Sequence, residues 1–405
     1  MRSLSNQLLT AEVAENTARL DQLNEPEVLN RTIYVETTGN DNSGNGTISR
    51  PYATFFKAIT DIKPIISEVA VTIQFGVGSF DLTSRDFVEV GKKSLIGNAE
   101  IQIIGAAMTD IVTDITLAAQ SGKEFRFDVS GNTFTEDEHV DRFVKYGSKY
   151  SPIIKNDVST LDTFVEAGTG TAISELTTTL NVLGDWALTP AAASGRIYFE
   201  RIKFDFQGEN IPMTGQDIYT VFKYSLLTNF ATMNIGTKLQ FQGLLVNASH
   251  LVPNSTSNGV NLLCNNITLN GAIRCANRAI RGLSLNFVNG DILAGRLMVR
   301  NAEYGVRLKP YCTFFTDFEA NNFVALLDCS YGFEMPDAGS LITEGTQPLY
   351  IDNVNYLLGD RDYVPTYGAQ ISMNLYGTPN SGNLSPNLVA MGYIDVSANW
   401  FIKIN

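Results

Sequence analysis

The stretch YVETTGNDNSGNGTISRPYATFFKAI, Tyr34 to Ile59, decides the fold reading. Tyr34–Val35–Glu36–Thr37 alternates like a β-strand. Gly39, Asn40, Asp41, Asn42, Gly44, Asn45 and Gly46 follow, residues that favour turns and tolerate positive φ. Pro51 then predicts a helix start, and Ala53, Phe55, Phe56, Ala58 and Ile59 give that helix one apolar face. A strand followed by a short apolar helix is what the open end of a β-solenoid needs. Without a cap, the terminal repeat exposes its hydrophobic interior and an unpaired strand edge.

Downstream segments carry strand patterns at solenoid-like spacing. Val69–Phe80 and Ala99–Gly105 are β-branched runs that meet Gly turns. IRCANRAI, LMVRNAEYGV and DFEANNFVAL align on Asn277, Asn301 and Asn321, with Asn247 of LLVNASHLV as a looser copy. An Asn at the same turn of successive repeats can stack as a hydrogen-bonded ladder. Between Thr135 and Lys155 the pattern breaks, and the charged-then-aromatic run predicts a helix-containing insertion or a loop. Thr169–Asp185 is Thr-rich and fits a strand or a surface loop. After residue 348 the repeat is lost again.

The Tyr34–Ile59 residues resemble the cap motif of right-handed parallel β-helix proteins of the pectate-lyase-like superfamily, phage tailspikes and tail fibres above all. The resemblance rests on Tyr34, Val35, Gly39, Asp41, Gly46, Thr47, Pro51, Tyr52, Thr54, Lys57, Ala58 and Ile59. It implies an all-β, single-stranded right-handed parallel β-helix over residues 31–348, capped at 34–59. Residues 1–30 would be a helical attachment or trimerisation segment, and 349–405 a small C-terminal β cap or tip. It also implies a homotrimeric virion appendage, joined to another virion protein through its N-terminal helix.

The N-terminal segment supports part of that picture directly. Ser3–Leu23 lacks Gly and Pro, and Pro26 closes it. One heptad frame places Asn6, Val13 and Leu20 at a, and Leu9, Asn16 and Leu23 at d. Two Asn layers in a Leu/Val seam read as a short parallel coiled coil, with a lone docked amphipathic helix as the alternative.

Composition excludes several classes. The 405 residues carry a formal net charge of −13, which argues against a nucleic-acid partner. The N-terminus lacks the apolar core of a signal peptide, and no apolar run is long enough to insert in a membrane. Cys264, Cys275, Cys312 and Cys329 form no C-x-x-C pair, and His139 and His250 are the two histidines, so no zinc site and no cofactor is expected. Asp41, Ser43, Asn45 and Gly46 open like a calcium loop, but the twelfth position is Tyr52 rather than Glu. VGKKS and GVGSFD each lack a glycine that a phosphate loop requires.

Chemistry on the shaft is the open question, because this fold serves adhesins and enzymes alike. Asp317 and Glu319 flank Phe318 and would share one strand face, the spacing a glycoside hydrolase pair needs. Arg300 and Arg307 could hold acidic sugar, with Tyr304, Tyr311 and Tyr331 as ring surfaces. A solvated face of alternating charge explains the same carboxylates more simply. The reading therefore ranks attachment to host surface polysaccharide ahead of depolymerisation by a hydrolase or lyase. A structural decoration of capsid, collar or baseplate is the third alternative.

Overall fold

The computed structural model describes residues 25–120, 123–165, 170–184, 195–209, 211–213, 219–230, 233–235, 238–248, 260–262, 267–275, 282–285, 290–308, 312–316, 323–334, 340–342, 348–352, 356–359 and 374–376. The seam residues Asn6, Leu9, Val13, Asn16, Leu20 and Leu23 lie outside these. So do Asn277, Asn321, Tyr311, Asp317 and Glu319. Among the described residues the architecture is all-β and dominated by parallel pairing, with two short helices.

The cap forms much as its residues dictate. Arg31–Val35 pairs in parallel with Ala70–Phe75, and the Tyr52 amide returns to the Tyr34 carbonyl at 3.0 Å. Asp41 organises the loop. Its carboxylate accepts from the amides of Ala53 (2.8 Å) and Thr54 (3.1 Å) and from the Thr54 hydroxyl (2.6 Å). Gly46 has φ +74°, and a Cβ there would sit 2.9 Å from both Ile33 and the Tyr52 ring. Helix α1 spans Phe55–Thr60 and begins four residues later than Pro51 suggests. Thr54 is its N-cap, accepting from the Lys57 amide, while Pro51 stays in the loop. Phe55, Ala58 and Ile59 are buried under it. A second helix, α2 (Ser84–Gly91), was not legible in the sequence reading. Asp86 fixes its start by accepting from the Thr83 amide and hydroxyl.

Three parallel ladders follow. Ladder A contains Ala70–Phe75, Glu100–Ile104, Arg196–Glu200, Tyr219–Lys223 and Lys238–Gln242. Ladder B contains Gly78–Thr83, Thr178–Leu183, Lys203–Asp205, Leu226–Thr228 and Leu244–Ala248. The long strands Ile267–Cys275 and Gly290–Arg300 bend to serve both ladders, which makes one 18-stranded sheet. Ladder C is a separate 7-stranded sheet that includes Tyr304–Leu308, Tyr331–Glu334 and Tyr356–Gly359. Neighbours in each ladder are mostly about 20–30 residues apart in sequence.

Register stacks like on like. Ile33, Ile73, Ile103, Phe199 and Phe222 follow one another on the inner side of ladder A. Phe80, Leu180, Phe204, Leu227, Val246, Ile273, Val299 and Leu326 do so in ladder B. The Phe199 and Phe222 rings stack at 5.1 Å. Each such side chain contributes roughly 1.5–3 kcal/mol of burial. Ladder B crosses residue 348, where the sequence reading places a domain boundary: Leu349 pairs with Val324, and also with Leu375.

Asn301 takes φ +60° after the strand ending at Arg300, and Asp328 takes φ +55° one ladder step on. Asn and Asp accept this left-handed turn more readily than most residues. The Asn301 amide group donates to the Cys275 carbonyl at 3.2 Å. Asn247 sits within a strand.

Residues 106–177 leave the ladders and build two 4-stranded antiparallel sheets around Leu117, Phe127, Val144, Ile153, Leu161 and Ile173. Of the two forms expected for 135–155, a helix-containing insertion or a loop, the segment takes the one without a helix. Asp137 and Asp141 hold φ +57° and +69°, which interrupts any helix. Asn156 ties the turn by accepting from the His139 amide (2.7 Å) and donating to the Thr135 carbonyl (2.7 Å). A hairpin of Phe143–Tyr146 and Lys149–Pro152 follows.

Candidate functional site

The insertion docks on the outer side of ladder B. Met108, Phe125, Phe143, Ile154 and Phe164 bury Leu226, Leu245, Ala272, Met298, Ala325 and Leu327. The outer side of ladder A keeps the polar-out alternation of an exposed sheet face. Its in-register columns include Glu100, Arg196 and Tyr219, then Thr72, Gln102, Tyr198, Val221 and Gln240, then Glu200, Lys223 and Gln242. These side chains bond along the ladder. Thr72 donates to Gln102 at 3.0 Å, Gln102 to Glu100 at 2.8 Å, and Tyr219 to Gln240 at 3.3 Å. The Arg196 guanidinium lies 5.3 Å from the Tyr219 ring centre.

Glu200 is the hub of this face. It is 9 % exposed and accepts from the Tyr198 hydroxyl (2.9 Å), Arg201 (2.5 Å) and Lys223 (3.4 Å). Lys223 also stands 5.9 Å from the Tyr198 ring and 5.1 Å from the Tyr224 ring. Tyr224 turns the corner from ladder A to ladder B with φ +48°, and Tyr150 of the insertion hairpin packs edge-on against it at 5.4 Å. One step along the same corner is Gly243, at φ +70°. A Cβ there would lie 3.0 Å from the Tyr224 ring and 3.2 Å from the Tyr150 carbonyl oxygen.

Burial raises the Tyr198 phenol well above its ordinary pKa, and the Glu200 charge adds to the effect. Burial likewise pushes Tyr224 up to about 12, reinforced by Tyr146 and Glu200. Both phenols keep their protons at physiological pH, and Tyr198 donates its own to Glu200. The Glu200 carboxylate already has three side-chain donors. Ring faces, hydroxyl donors and a charge-compensated carboxylate on an outer sheet face fit recognition of a polyhydroxylated ligand.

The remaining sequence-derived site residues divide between two places. Tyr304 and Arg307 lie together on ladder C. Tyr304 stacks on Tyr331 at 5.0 Å and 17°, and the Arg307 guanidinium is 6.0 Å from the Tyr304 ring. Tyr331 pairs in register with Tyr356. Arg300 belongs to ladder B and faces the insertion, bonding to Asp328 (3.0 Å), Asp137 (3.4 Å) and the Ile154 carbonyl (3.2 Å). Sequence reasoning missed the Tyr198–Glu200–Lys223–Tyr224 cluster. The signal was present as alternating RIYFE and YTVFK strands whose outward positions are Arg, Tyr and Glu, then Tyr, Val and Lys. Among the described residues, no group of three or more His, Cys, Asp or Glu is placed to hold a metal ion. No helix there is long and apolar enough to cross a membrane.

No family model and no curated relative matches the chain. Solved structures with partial likeness include a complex of XylC with xylose, at 11 % identity and TM-score 0.29, covering 85 % of this chain and 71 % of that one. A glycoside hydrolase follows at 8 % identity and TM-score 0.26, covering 80 % and 96 %. The tailspike gp61 of Pseudomonas phage phi297 is 10 % identical at TM-score 0.16, covering 80 % and 74 %. Likenesses this slight transfer neither architecture nor activity to the chain.

Proposed function

We propose that the three ladders wind as a right-handed parallel β-helix, and that the chain is a tailspike-like virion appendage attaching to host surface polysaccharide. Parallel ladders whose neighbours follow one another in sequence, with like residues stacked inside, support the winding, and parallel crossovers are almost always right-handed. The Tyr34–Ile59 resemblance supports the virion setting, the homotrimer and attachment to a second virion protein through residues 1–30. The observation that carries the binding reading is the outer face of ladder A, where Tyr198, Tyr219, Glu200, Lys223 and Gln240 form a polar and aromatic patch around the buried Val221. The stacked Tyr304–Tyr331 pair with Arg307 offers a second ring surface on ladder C.

The test is binding of the full-length chain to host capsule and lipopolysaccharide, with reducing-end release followed in parallel. Tyr198→Ala and Lys223→Ala are expected to weaken binding at least about tenfold, the loss of roughly 1.4 kcal/mol. Undiminished binding by both variants would refute this face as the contact. Sugar release would replace attachment by depolymerisation, with Asp317 and Glu319 the first positions to substitute. Absence of any glycan binding, with co-purification of a head or baseplate protein, would favour a structural decoration.

A further inference from the structure

The outer face of ladder A is opposite in charge to the chain as a whole. The sequence carries a formal net charge of −13. Around Tyr198 the described charged side chains are Arg196, Arg201 and Lys223 against Glu100 and Glu200. The carboxylates are also the less available of the two signs. Glu200 is buried beneath its three donors, Tyr198, Arg201 and Lys223. Glu100 accepts from the Gln102 amide at 2.8 Å and offsets Arg196 from the register position beside it. The cations stay nearer to solvent. Arg196 is exposed, its guanidinium is 5.3 Å from the Tyr219 ring centre, and among the described residues it forms no ion pair. Lys223, with its side chain 28 % exposed, shares the one Glu200 carboxylate with Arg201. The face is therefore net positive.

The two accessible cations stand apart. Arg196 pairs with Tyr219, and Lys223 closes that second strand. Strand rise and strand spacing put their Cα atoms roughly 14 Å from each other. Tyr219 holds the Arg196 head group, and Glu200 with the Tyr198 and Tyr224 rings holds that of Lys223. One small anion cannot bridge them, whereas a polymer that repeats an acidic group along its length can. We propose that the ligand of this face is an acidic polysaccharide, with Arg196 and Lys223 each taking an anionic group and Tyr198 and Tyr219 taking ring faces between them. The proposal rests on the glycan reading of ladder A and narrows it to one substrate class. Arg meets a carboxylate or a phosphate with two parallel hydrogen bonds, and Lys meets either as a point charge. The chemistry recognised is thus negative charge on a sugar chain, whether from uronic-acid carboxylates or from phosphates. Because the chain as a whole repels such a polymer, a local positive face also directs its approach.

The test uses the full-length chain and two pairs of glycans. One pair is host capsule before and after carbodiimide–borohydride reduction of its carboxylates. The other is host lipopolysaccharide before and after hydrofluoric-acid removal of its phosphates. Binding is read at about 50 mM and about 500 mM salt. At low salt a native glycan is expected to bind at least about tenfold more tightly than its neutralised partner, and high salt should shrink that ratio. The pair that responds names the acidic group. Arg196→Gln and Lys223→Gln should each cut the ratio while leaving binding of the neutralised partner as in wild type. Equal binding of native and neutralised glycan, still weakened by Tyr198→Ala, would overturn the acidic class and leave the glycan reading standing. A ratio unchanged in both Gln variants would overturn the roles of Arg196 and Lys223. Failure of all the glycans to bind would overturn both readings together.

Discussion

Ladders A and B share their inner chemistry and differ on their outer faces. On ladder A the outward positions Arg196, Tyr198, Tyr219, Lys223 and Gln240 are polar or aromatic. On ladder B one outward column runs Ser79, Thr179, Lys203 and then Leu226, Leu245, Ala272, Met298 and Ala325. The change from polar to apolar comes where the insertion begins to cover the sheet. One repeat pattern thus builds a solvent-facing surface and a domain-docking surface. What differs is a single residue position per repeat.

The largest test of this contrast puts a charge on each face. Met298→Asp, at a side chain with 0 % exposure, should cost about 3–5 kcal/mol and free the insertion to early proteolysis. Gln240→Asp on ladder A should stay within about 0.5 kcal/mol by thermal melting. Equal effects would erase the distinction between the faces.

The polar column beside this docking surface comes next. Arg300→Ala leaves Asp137 and Asp328 without this cation, at an expected cost of about 1–3 kcal/mol in denaturant unfolding, whereas Arg300→Lys should recover part of it. At the corner joining the two faces, Gly243→Ala should cost about 1–2 kcal/mol from its positive φ and its closeness to Tyr224 and Tyr150. A neutral result would mean that the hairpin does not rest on this corner.

How much of this could be read beforehand follows from the same contrast. The cap was legible because Gly, Asp and Thr at fixed offsets each have one geometric task, as Asp41 and Thr54 show. Strands with alternating burial were legible too. FVALL and LLVNA are buried at every position, which in a solenoid signals a covered outer face. That signal names no cover, because the covering residues lie some hundred positions upstream. The charged run after Thr135 fits a helix-containing insertion or a loop by composition. Its Asp137 and Asp141 take left-handed turns held by Asn156 and Asn247, contacts that local propensity does not report. The Tyr198 and Lys223 cluster was missed for a related reason: its members come from successive repeats and meet through register alone.

Two smaller effects sharpen the picture. Hydrogen bonds from Lys145 and Ser174 hold the Asp110 carboxyl below its ordinary range. Its folded pKa is depressed, so its contribution is present above the unfolded value of 3.8 and is lost as pH falls through the folded value. The pair is partly exposed, so Asp110→Asn should cost less than about 1 kcal/mol at neutral pH, with the difference from wild type closing in acid. Tyr198→Ala should change stability by no more than about 1 kcal/mol while weakening glycan binding at least about tenfold.

The most direct measurement is hydroxyl-radical footprinting of the full-length chain, free and with host capsule polysaccharide. The account predicts strong labelling of Tyr198 and Tyr219, protection of Met298 despite its reactive sulfur, and loss of the tyrosine labelling when polysaccharide is bound. Labelling of Met298 as strong as that of Tyr198, or polysaccharide that binds without protecting either tyrosine, would contradict it.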